Sequence, residues 1–457
     1  MIIIGEKING SIPSVAEAIA NKDAEFIKDR ARKQAEAGAK VKVNGAVHTI
    51  RDMGTVAFVI LRKREGLLQC VYEEGSADFE LKDIKEAATV EVEGVLEENE
   101  KAPNGIEIRM ESVKILSEPE DEMMPLAISK WKLNTSLEAK LNYRSISLRN
   151  IRERAKFRIQ EGLTRAFRDF LYSQEFTEIH TPKIGAKGAE GGANIFKLEY
   201  FHRPAILQQS PQFYKQMMVG VFDRVFETAP VFRAEKHNTK RHLNEYTSLD
   251  FEMGYIDGFE DIMAMEQEML RCTFARLQET CGAELSLLKA EVPVITEIPR
   301  IRFSEAKELV SCVYKRAFSE KLDFEPEEEK LLCEYVKKTT GSDFVFVTHY
   351  PSAKRPFYAM DSRENPAVTE SFDLLFRGLE VTTGGQRIHN YREQMEKIES
   401  RGMHVEAFES YLMMHRCGMP PHGGLGLGLE RFTARLLGFE NVRNASLFPR
   451  DIHRLIP

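Results

Sequence analysis

The chain contains 457 residues, of which 42% are hydrophobic and 30% are charged, and its formal net charge at pH 7 is -7. This balance is typical of a folded globular protein and excludes a mainly disordered or fibrous chain, while the length allows roughly two to four domains. No segment approaches the roughly 18 consecutive apolar residues of a membrane span, so we expect a cytoplasmic protein with no membrane partner.

Several familiar site motifs are absent from the sequence. The six cysteines are far apart and form no C-x-x-C pair, which argues against a zinc ribbon and against a disulfide framework. No G-x-x-x-x-G-K-[ST] phosphate loop occurs, and the glycine-rich run at 423–428 does not open a strand-turn-helix unit near the start of a domain. A P-loop or Rossmann nucleotide site is therefore not favoured.

Residues 40–117 alternate between apolar and polar positions in five short stretches. A helix is expected near Ala77 to Ala87, between the third and fourth stretches. This pattern fits a small Greek-key barrel of the OB type, a fold that often binds single-stranded nucleic acid, and it leaves another small barrel or sandwich open. The apolar pairs and triplets are Val41/Val43, Val56/Phe58/Ile60, Leu68/Cys70/Tyr72, Val90/Val92 and Ile106/Ile108/Met110.

Residues 118–136 hold prolines and an acidic run and show little periodicity, which predicts a linker. Beyond it, apolar stripes at helical spacing near 151–170 and 259–280 alternate with strand-like stretches, so we expect a mixed α and β domain. The expected organisation is an atypical N-terminal segment at 1–39, the barrel at 40–117, the linker at 118–136 and a large domain at 137–457.

Two arginines stand where phosphate groups could be bound. Arg233 and Glu235 follow an apolar strand on one face, and their side chains suit a phosphate and a base amino group. Arg431 follows the glycine-rich run, expected to be a turn, in the first turn of a predicted helix, where a polyphosphate could lie. In isolation, each pattern also fits a solvent-exposed ion pair or surface arginine.

Together these segments resemble motifs 2 and 3 of the class II aminoacyl-tRNA synthetases, and the segment from Phe176 to Pro182 resembles motif 1. Further stretches resemble the aspartyl-tRNA synthetases of the archaeal and eukaryotic type, over about residues 40–457. The fold implied is α+β with an N-terminal all-β barrel: an OB-fold anticodon-binding domain, then a catalytic domain on an antiparallel sheet flanked by helices. The stretches are 209–216, 241–245, 383–387 and 418–424.

The resemblance implies a homodimer that forms an aminoacyl-adenylate from ATP and then transfers the acyl group to tRNA. Arg233 would hold the α-phosphate, Arg431 the γ-phosphate and Glu235 the adenine edge. Glu380 and Thr383 would bind Mg²⁺ between phosphates, although the family usually has serine where Thr383 stands. The other ATP-binding positions would be Ala234, Arg241, His242, Leu243, Gly428, Leu429 and Glu430.

Substrate choice by resemblance rests on Lys215 and Arg387, which would converge on the side-chain carboxylate of L-aspartate. Glu190, Gln212 and Asp250 would meet the α-ammonium group, and Arg233 and Thr383 would also contact the amino acid. A neutral asparagine would leave buried cations unpaired, at roughly 1 to 3 kcal/mol per group, which disfavours asparaginyl-tRNA synthetase.

Two barrel residues bear on the choice of tRNA. In archaeal-type aspartyl enzymes, tryptophan and lysine at the His48 and Pro103 positions accompany strict recognition of tRNA(Asp), whereas histidine and proline accompany enzymes that also charge tRNA(Asn). We therefore expect charging of both tRNAs, which implies a downstream amidotransferase that converts Asp-tRNA(Asn). The alternative is that both residues only fill barrel loops and the enzyme is strict for tRNA(Asp).

Two further alternatives remain. A synthetase paralogue could make a free amino-acid amide without tRNA, although the anticodon-type barrel argues against it. A catalytically silent RNA-binding regulator is disfavoured by the joint presence of Arg233, Glu235, Glu380, Arg387 and Arg431.

Overall fold

The computed structural model describes residues 40–64, 66–121, 123–186, 188, 194–236 and 239–456, together with Ser14, Glu17 and Lys33. The prediction for segment 1–39 thus concerns residues almost wholly outside the described ones. The chain divides into two compact units, residues 1–151 and 152–457. The domain boundaries expected from the sequence stay a prediction. Among the described residues, no helix is long and apolar enough to cross a membrane.

The first unit contains a closed five-stranded barrel, in the order β1-β2-β3-β5-β4. β3 and β5 pair in parallel and the other neighbours pair antiparallel. Inward-facing apolar side chains of all five strands form its core, and in four strands they include the predicted apolar residues. In the second strand the prediction chose the wrong face, because the core contains Ala57, Val59 and Leu61 and not Val56, Phe58 and Ile60. The strands are β1 Lys40–Asp52, β2 Val56–Arg62, β3 Leu67–Glu73, β4 Thr89–Glu98 and β5 Ile106–Ser117.

The helix expected between β3 and β4 was a wrong prediction, because that segment forms only a short 3-10 turn at Leu81–Asp83. Ile84 is buried in the barrel core, and Phe79 and Leu81 pack against it. Phe79 and Leu81 are two positions apart, a spacing that would put them on different sides of an α-helix. The segment therefore covers the barrel in a non-helical conformation.

The second unit is built on an eight-stranded sheet, in the order β12-β13-β14-β15-β16-β11-β10-β6. Pairing is antiparallel except at the two edge pairs, β6–β10 and β12–β13. Three short strands, β7, β8 and β9, form a separate small sheet. The strands are β6 Thr177–Glu178, β7 Ile184–Gly185, β8 Lys197–Tyr200, β9 Arg203–Leu207, β10 Arg224–Phe232, β11 Glu245–Gly254, β12 Arg300–Arg302, β13 Phe344–Thr348, β14 Ser371–Phe376, β15 Leu379–Arg387 and β16 His422–Gly428.

Helices pack around this sheet. The two predicted apolar stripes lie on α3 and α5, which share one hydrophobic core with the sheet. A second core joins α6 and α7 to the sheet through Val345 and Leu375. The helices of the second unit are α3 Ile151–Ser173, α4 Gln212–Phe222, α5 Phe259–Leu288, α6 Phe303–Tyr314, α7 Pro326–Thr340, α8 Tyr391–Ser400, α9 Glu409–Arg416 and α10 Leu429–Leu436. Two short helices, α1 Leu137–Asn142 and α2 Arg144–Ser147, belong to the first unit.

The glycine-rich run is a strand, β16, and not the turn that the sequence suggested. It lies between β11 and β15 in the centre of the sheet. A Cβ atom on Gly424 would lie 2.1 Å from the carbonyl oxygen of Phe251, so only glycine fits there. The helix expected next is confirmed, since α10 begins at once with Gly428 as its N-cap.

A glycine in the barrel gives a test of this packing. A Cβ atom on Gly94, in β4, would lie 2.1 Å from the carbonyl oxygen of Arg109, whereas one on Gly66 would meet nothing within 4 Å. We expect Gly94→Ala to destabilise the barrel by about 1 to 3 kcal/mol because neighbouring backbone must shift. Hydrogen exchange of β4 and β5 in the full chain measures this, with Gly66→Ala as the matched control. Equal protection in both variants would contradict the prediction.

Candidate active site

A cavity of about 780 Å³ lies in the second unit and brings together most of the residues predicted to form the site. Of the other predicted residues, Ala234 does not line it, Leu429 packs its side chain into the hydrophobic core, and Glu190 lies outside the described residues. The predicted residues that line the cavity are Gln212, Lys215, Arg233, Glu235, Arg241, His242, Leu243, Asp250, Glu380, Thr383, Arg387, Gly428, Glu430 and Arg431.

Strand β11 separates the core from the polar site. Its Leu249 and Phe251 side chains are in the hydrophobic core, while Ser248 and Asp250 line the cavity. Because successive strand residues point to opposite faces, Glu252 lies on the same face as Asp250. One strand therefore supplies core packing and site charges together.

Lys215 and Arg387 meet two carboxylates at this polar face. Lys215 Nζ lies 2.9 Å from Asp250 Oδ1 and 3.3 Å from Glu252 Oε2, and it donates to the carbonyl oxygen of Leu425 at 2.8 Å. Arg387 Nε donates to Glu252 Oε1 at 2.9 Å, and its Nη2 donates to the Gly424 carbonyl oxygen at 2.9 Å. The structure thus places the two predicted cations beside a shared carboxylate.

Glu252 is that shared carboxylate, and the sequence analysis missed it. It is fully buried. Burial alone would raise its pKa, but the positive charges of Arg387 and Lys215 outweigh burial and leave the pKa of Glu252 below its ordinary value. The available signal was the alternation of Ser248, Asp250 and Glu252 along a strand with apolar residues between them.

Arg233 and Glu235 stand just beyond the end of β10 in a loop fixed by Asn244. The Asn244 Nδ2 atom donates to the carbonyl oxygens of Arg233 at 2.8 Å and of Glu235 at 3.0 Å. The Arg233 backbone N–H donates to the Asn244 carbonyl oxygen at 2.9 Å. Glu235 Oε2 also accepts a hydrogen bond from Asn194 at 3.2 Å. These bonds hold both side chains at the cavity wall.

Arg431 joins α10 to the opposite wall. Its Nε donates to the Arg241 carbonyl oxygen at 3.3 Å, and its Nη1 donates to the Glu380 carbonyl oxygen at 3.2 Å. Glu380 Oε1 accepts from the Thr383 hydroxyl at 3.0 Å. Burial raises the pKa of the Glu380 carboxyl, but the charges of Arg431, Arg355 and Arg233 outweigh it and lower that pKa. Glu380 is therefore ionised at neutral pH.

Asp373 and Glu329 are two further acidic residues, close to Thr383 and Glu380, that the sequence analysis missed. Asp373 lies on β14 opposite Thr383 and pairs with Arg355 at 2.8 Å, and burial raises its pKa to about 6. Glu329, on α7, contacts the Arg241 guanidinium and accepts the Glu380 backbone N–H at 2.9 Å. Burial raises the pKa of Glu329 to about 7. No local motif marks either residue.

Two predicted ATP-binding residues have partners within the protein. Both oxygens of Glu430 accept the backbone N–H of Thr247, at 3.1 and 3.0 Å, and burial raises the pKa of Glu430 to about 7. His242 Nδ1 lies 2.6 Å from the Thr239 hydroxyl. Burial and the charge of Arg431 lower the pKa of His242, so a neutral imidazole faces the cavity at pH 7.

The sequence matches the family described as tRNA synthetases class II (D, K and N) over residues 136–452, and an OB-fold nucleic acid binding domain over residues 41–116. The chain belongs to the class II tRNA synthetases. It is 48% identical to the aspartate--tRNA(Asp/Asn) ligase of Deinococcus radiodurans, covering 92% of this chain and 96% of that one. It is 40% identical to the aspartate--tRNA(Asp) ligase of Pyrococcus furiosus, covering 92% and 97%.

Solved structures include relatives of two specificities. The asparaginyl-tRNA synthetase of Pyrococcus horikoshii, complexed with asparaginyl-adenylate, superposes with a TM-score of 0.84 at 30% identity, covering 92% of this chain and 96% of that one. The aspartyl-tRNA synthetase of Entamoeba histolytica gives a TM-score of 0.81 at 29% identity, covering 92% and 90%. The synthetase fold therefore accommodates both amino acids, and specific residues must distinguish them.

The two residues expected to select the tRNA lie in the barrel of the synthetase. His48 is buried and occupies the register shift between Val47 and Thr49 where β1 pairs with β2. Pro103 is exposed at the start of a 3-10 turn that leads into β5. Of these two residues, Pro103 is thus the one placed to meet a ligand directly.

The buried charges predict how stability responds to one substitution. Glu252→Gln leaves Lys215 and Arg387 with less negative charge, and we expect the synthetase to lose about 3 kcal/mol of unfolding free energy at pH 7. Because the pKa of Glu252 is lowered in the fold, its contribution is present above the ordinary value of 4.5 and is lost as pH falls through the folded pKa. The gap between variant and wild type should narrow at acid pH.

Urea unfolding at a series of pH values measures this gap. Glu440→Gln is the matched control. The ion pair of Glu440 with Lys240 is exposed, so this substitution should change the unfolding free energy by less than about 1 kcal/mol. A gap for Glu252→Gln that stays constant as the pH is lowered from 7 to well below the ordinary value of 4.5 would rule out the assigned charge.

Proposed function

We propose that this synthetase attaches L-aspartate to tRNA(Asp) and to tRNA(Asn) through an aspartyl-adenylate. The observation that carries the aspartate assignment is the pairing of Lys215 and Arg387 with shared carboxylates at one end of the cavity. The relatives named aspartate--tRNA(Asp/Asn) ligases, at 40 to 48% identity, support the same function.

Charge balance explains the preference for aspartate over asparagine. The Asp250 Oδ2 atom has no hydrogen-bond partner among the described residues, so it can accept a hydrogen bond from the α-ammonium group. The family resemblance assigns the same group to Gln212 and Glu190. That contact draws Asp250 away from Lys215, and Lys215 and Arg387 then bind the side-chain carboxylate. Asparagine brings no such negative charge, and the cations would stay unbalanced in a buried site.

The first step needs no protein base, because the α-carboxylate of aspartate is already ionised at neutral pH. Its oxygen attacks the α-phosphorus of ATP, a new C–O–P bond forms, and the bond to the β-phosphate oxygen breaks with release of pyrophosphate. Arg233 would hold the α-phosphate and Arg431 the γ-phosphate, so charge on the transferring group is neutralised. Glu235 would accept a hydrogen bond from the adenine amino group.

The second step joins the amino acid to RNA. A hydroxyl of the terminal ribose of the tRNA attacks the acyl carbon of the adenylate and an ester bond forms. The acyl–oxygen bond to AMP breaks, AMP leaves with the bonding electron pair, and the hydroxyl proton passes to its phosphate group. Arg233, still beside the phosphate, stabilises the leaving AMP. Most of the remaining rate acceleration comes from holding the ribose hydroxyl close to the acyl carbon in the right orientation.

Glu380 and Thr383 would hold Mg²⁺. Their oxygen atoms lie 3.0 Å apart, and Glu380 is ionised, which fits a cation that binds one or two carboxylates and completes its coordination with phosphates and water. No cluster of three metal-ligating residues occurs within the described part of the chain, which agrees with a metal held mostly by its substrate. When bound, Mg²⁺ neutralises phosphate charge.

The proposal extends to partners. The synthetase acts as a homodimer in the cytoplasm, as the family resemblance implies, and an amidotransferase converts Asp-tRNA(Asn) downstream.

The exposed Pro103 supports relaxed tRNA choice, because proline offers no side-chain donor for a base of the anticodon. A lysine there would supply a donor that distinguishes C from U.

Pyrophosphate exchange tests the amino-acid assignment. We expect aspartate to support exchange and asparagine to support it at least about a hundredfold less. With Asp250 bound to the α-ammonium group, asparagine leaves only Glu252 to balance the two positive charges of Lys215 and Arg387. Equal exchange would contradict the aspartate assignment, and no exchange with either amino acid would favour a silent regulator. Amide formation from ammonia without tRNA would instead favour the tRNA-independent paralogue.

Aminoacylation of separate tRNA(Asp) and tRNA(Asn) transcripts with labelled aspartate tests the tRNA assignment. We expect comparable charging of both, and a shift of about tenfold towards tRNA(Asp) in Pro103→Lys through one added contact. Lys101→Ala, two residues away, controls for a general charge effect. Charging of tRNA(Asp) alone by the wild type would reject relaxed specificity while leaving aspartylation intact.

A further inference from the structure

Glu329 stands apart from the residues assigned to ATP and aspartate, although it touches two of them. It lies in the first turn of α7, whose apolar side packs in the core shared with α6. Its side chain is buried, with 7% of the residue exposed. A buried carboxylate is costly unless it is paired, so its partners show what it does.

Those partners form a closed ring. Glu329 Oε2 accepts from the Arg241 guanidinium and from the Glu380 backbone N–H at 2.9 Å. The Glu380 carbonyl oxygen accepts from Arg431 Nη1 at 3.2 Å, and Arg431 Nε donates to the Arg241 carbonyl oxygen at 3.3 Å. The ring therefore links α7, β15, α10 and the loop after β10.

We propose that Glu329 is a positioning residue for the triphosphate of ATP, which holds Arg241, Arg431 and Glu380 in place before the nucleotide binds. The inference rests on the proposed function, since it assigns the same cavity to ATP. Arg233, Arg241 and Arg431 all line one cavity and repel one another. The Glu329 carboxylate contacts the Arg241 guanidinium. Its negative charge reduces the repulsion among the three arginines and limits the positions that each guanidinium can adopt.

Glu329 acts through Arg241 and Glu380 and not by touching the reacting atoms. Its loss should therefore weaken ATP use while leaving the aspartate end unchanged, because Lys215, Arg387 and Glu252 lie outside the ring. Transfer from a preformed adenylate should also be spared, because the triphosphate has already left at that stage. A role limited to folding would not separate these steps.

The test compares full-length Glu329→Gln with wild type in pyrophosphate exchange. We expect the KM for ATP to rise about tenfold, the factor that corresponds to roughly one hydrogen bond, and the KM for aspartate to change less than about twofold. Single-turnover transfer from isolated aspartyl-adenylate to tRNA should keep the wild-type rate. An unchanged KM for ATP, or an equal rise in both KM values, would overturn the proposal.

Glu328→Gln is the matched control. Glu328 precedes Glu329 on the same helix turn and is also buried, but it pairs with Lys307 at 2.6 Å and accepts the Glu325 backbone N–H. We expect this variant to lower the melting temperature without a selective rise in the KM for ATP. The same selective rise in Glu328→Gln would show that loosening α7 suffices and would reject the specific role of Glu329.

Equilibrium dialysis of ATP without amino acid separates this inference from the proposed function. Weaker ATP binding by Glu329→Gln than by wild type would support the positioning role even if aspartate proved to be the wrong substrate. Equal ATP binding by both proteins, with normal aspartate activation by the wild type, would reject the positioning role and leave the proposed function standing.

Discussion

The buried contact of Lys215, Glu252 and Arg387 is the constraint on which this end of the cavity depends, the end that we propose binds the amino acid. Each charge would be strongly unfavourable alone in the interior, and together they can remain ionised because each has an opposite partner. The three residues come from α4, β11 and β15, so their pairing fixes three elements at one point. Electrostatic balance and fold are therefore coupled here.

The central sheet makes this arrangement possible through its two different faces. Leu249 and Phe251 point from β11 into the core with α3 and α5, whereas Asp250 and Glu252 point to the other side. Strand β16, beside it, is rich in glycine, and its Leu425 carbonyl oxygen accepts from Lys215. Its leucines point into the core, while Gly426 and Gly428 line the cavity and leave room there for polar groups.

The end of the cavity that we propose binds ATP is held together in a similar way by different elements. Arg431 comes from α10, Arg241 from the loop after β10, and Glu329 from α7, and backbone carbonyl groups share in their contacts. Positive charges that would repel one another are held apart by Glu329 and Glu380. In the proposed function, a phosphate-rich substrate would meet cations that are already in position, which lowers the cost of ordering them during binding.

The sequence by itself determined the family, the barrel strands and most of the cavity residues, because these depend on local alternation and on short motifs. It did not determine the segment near Leu81, where packing on the barrel replaced the expected helix, or the strand conformation of the glycine-rich run. Close approach of three strands, and not turn formation, explains those glycines.

Only the tertiary structure assigned partners to Glu252, Asp373 and Glu329. Each is one acidic residue among 71 in the chain, and nothing in its immediate neighbours tells which are buried. Glu252 meets Arg387 across 135 positions of sequence, and Glu329 meets Arg241 across 88. Such contacts form when distant segments pack together, so the charges that complete the site are decided by the fold and not by local sequence.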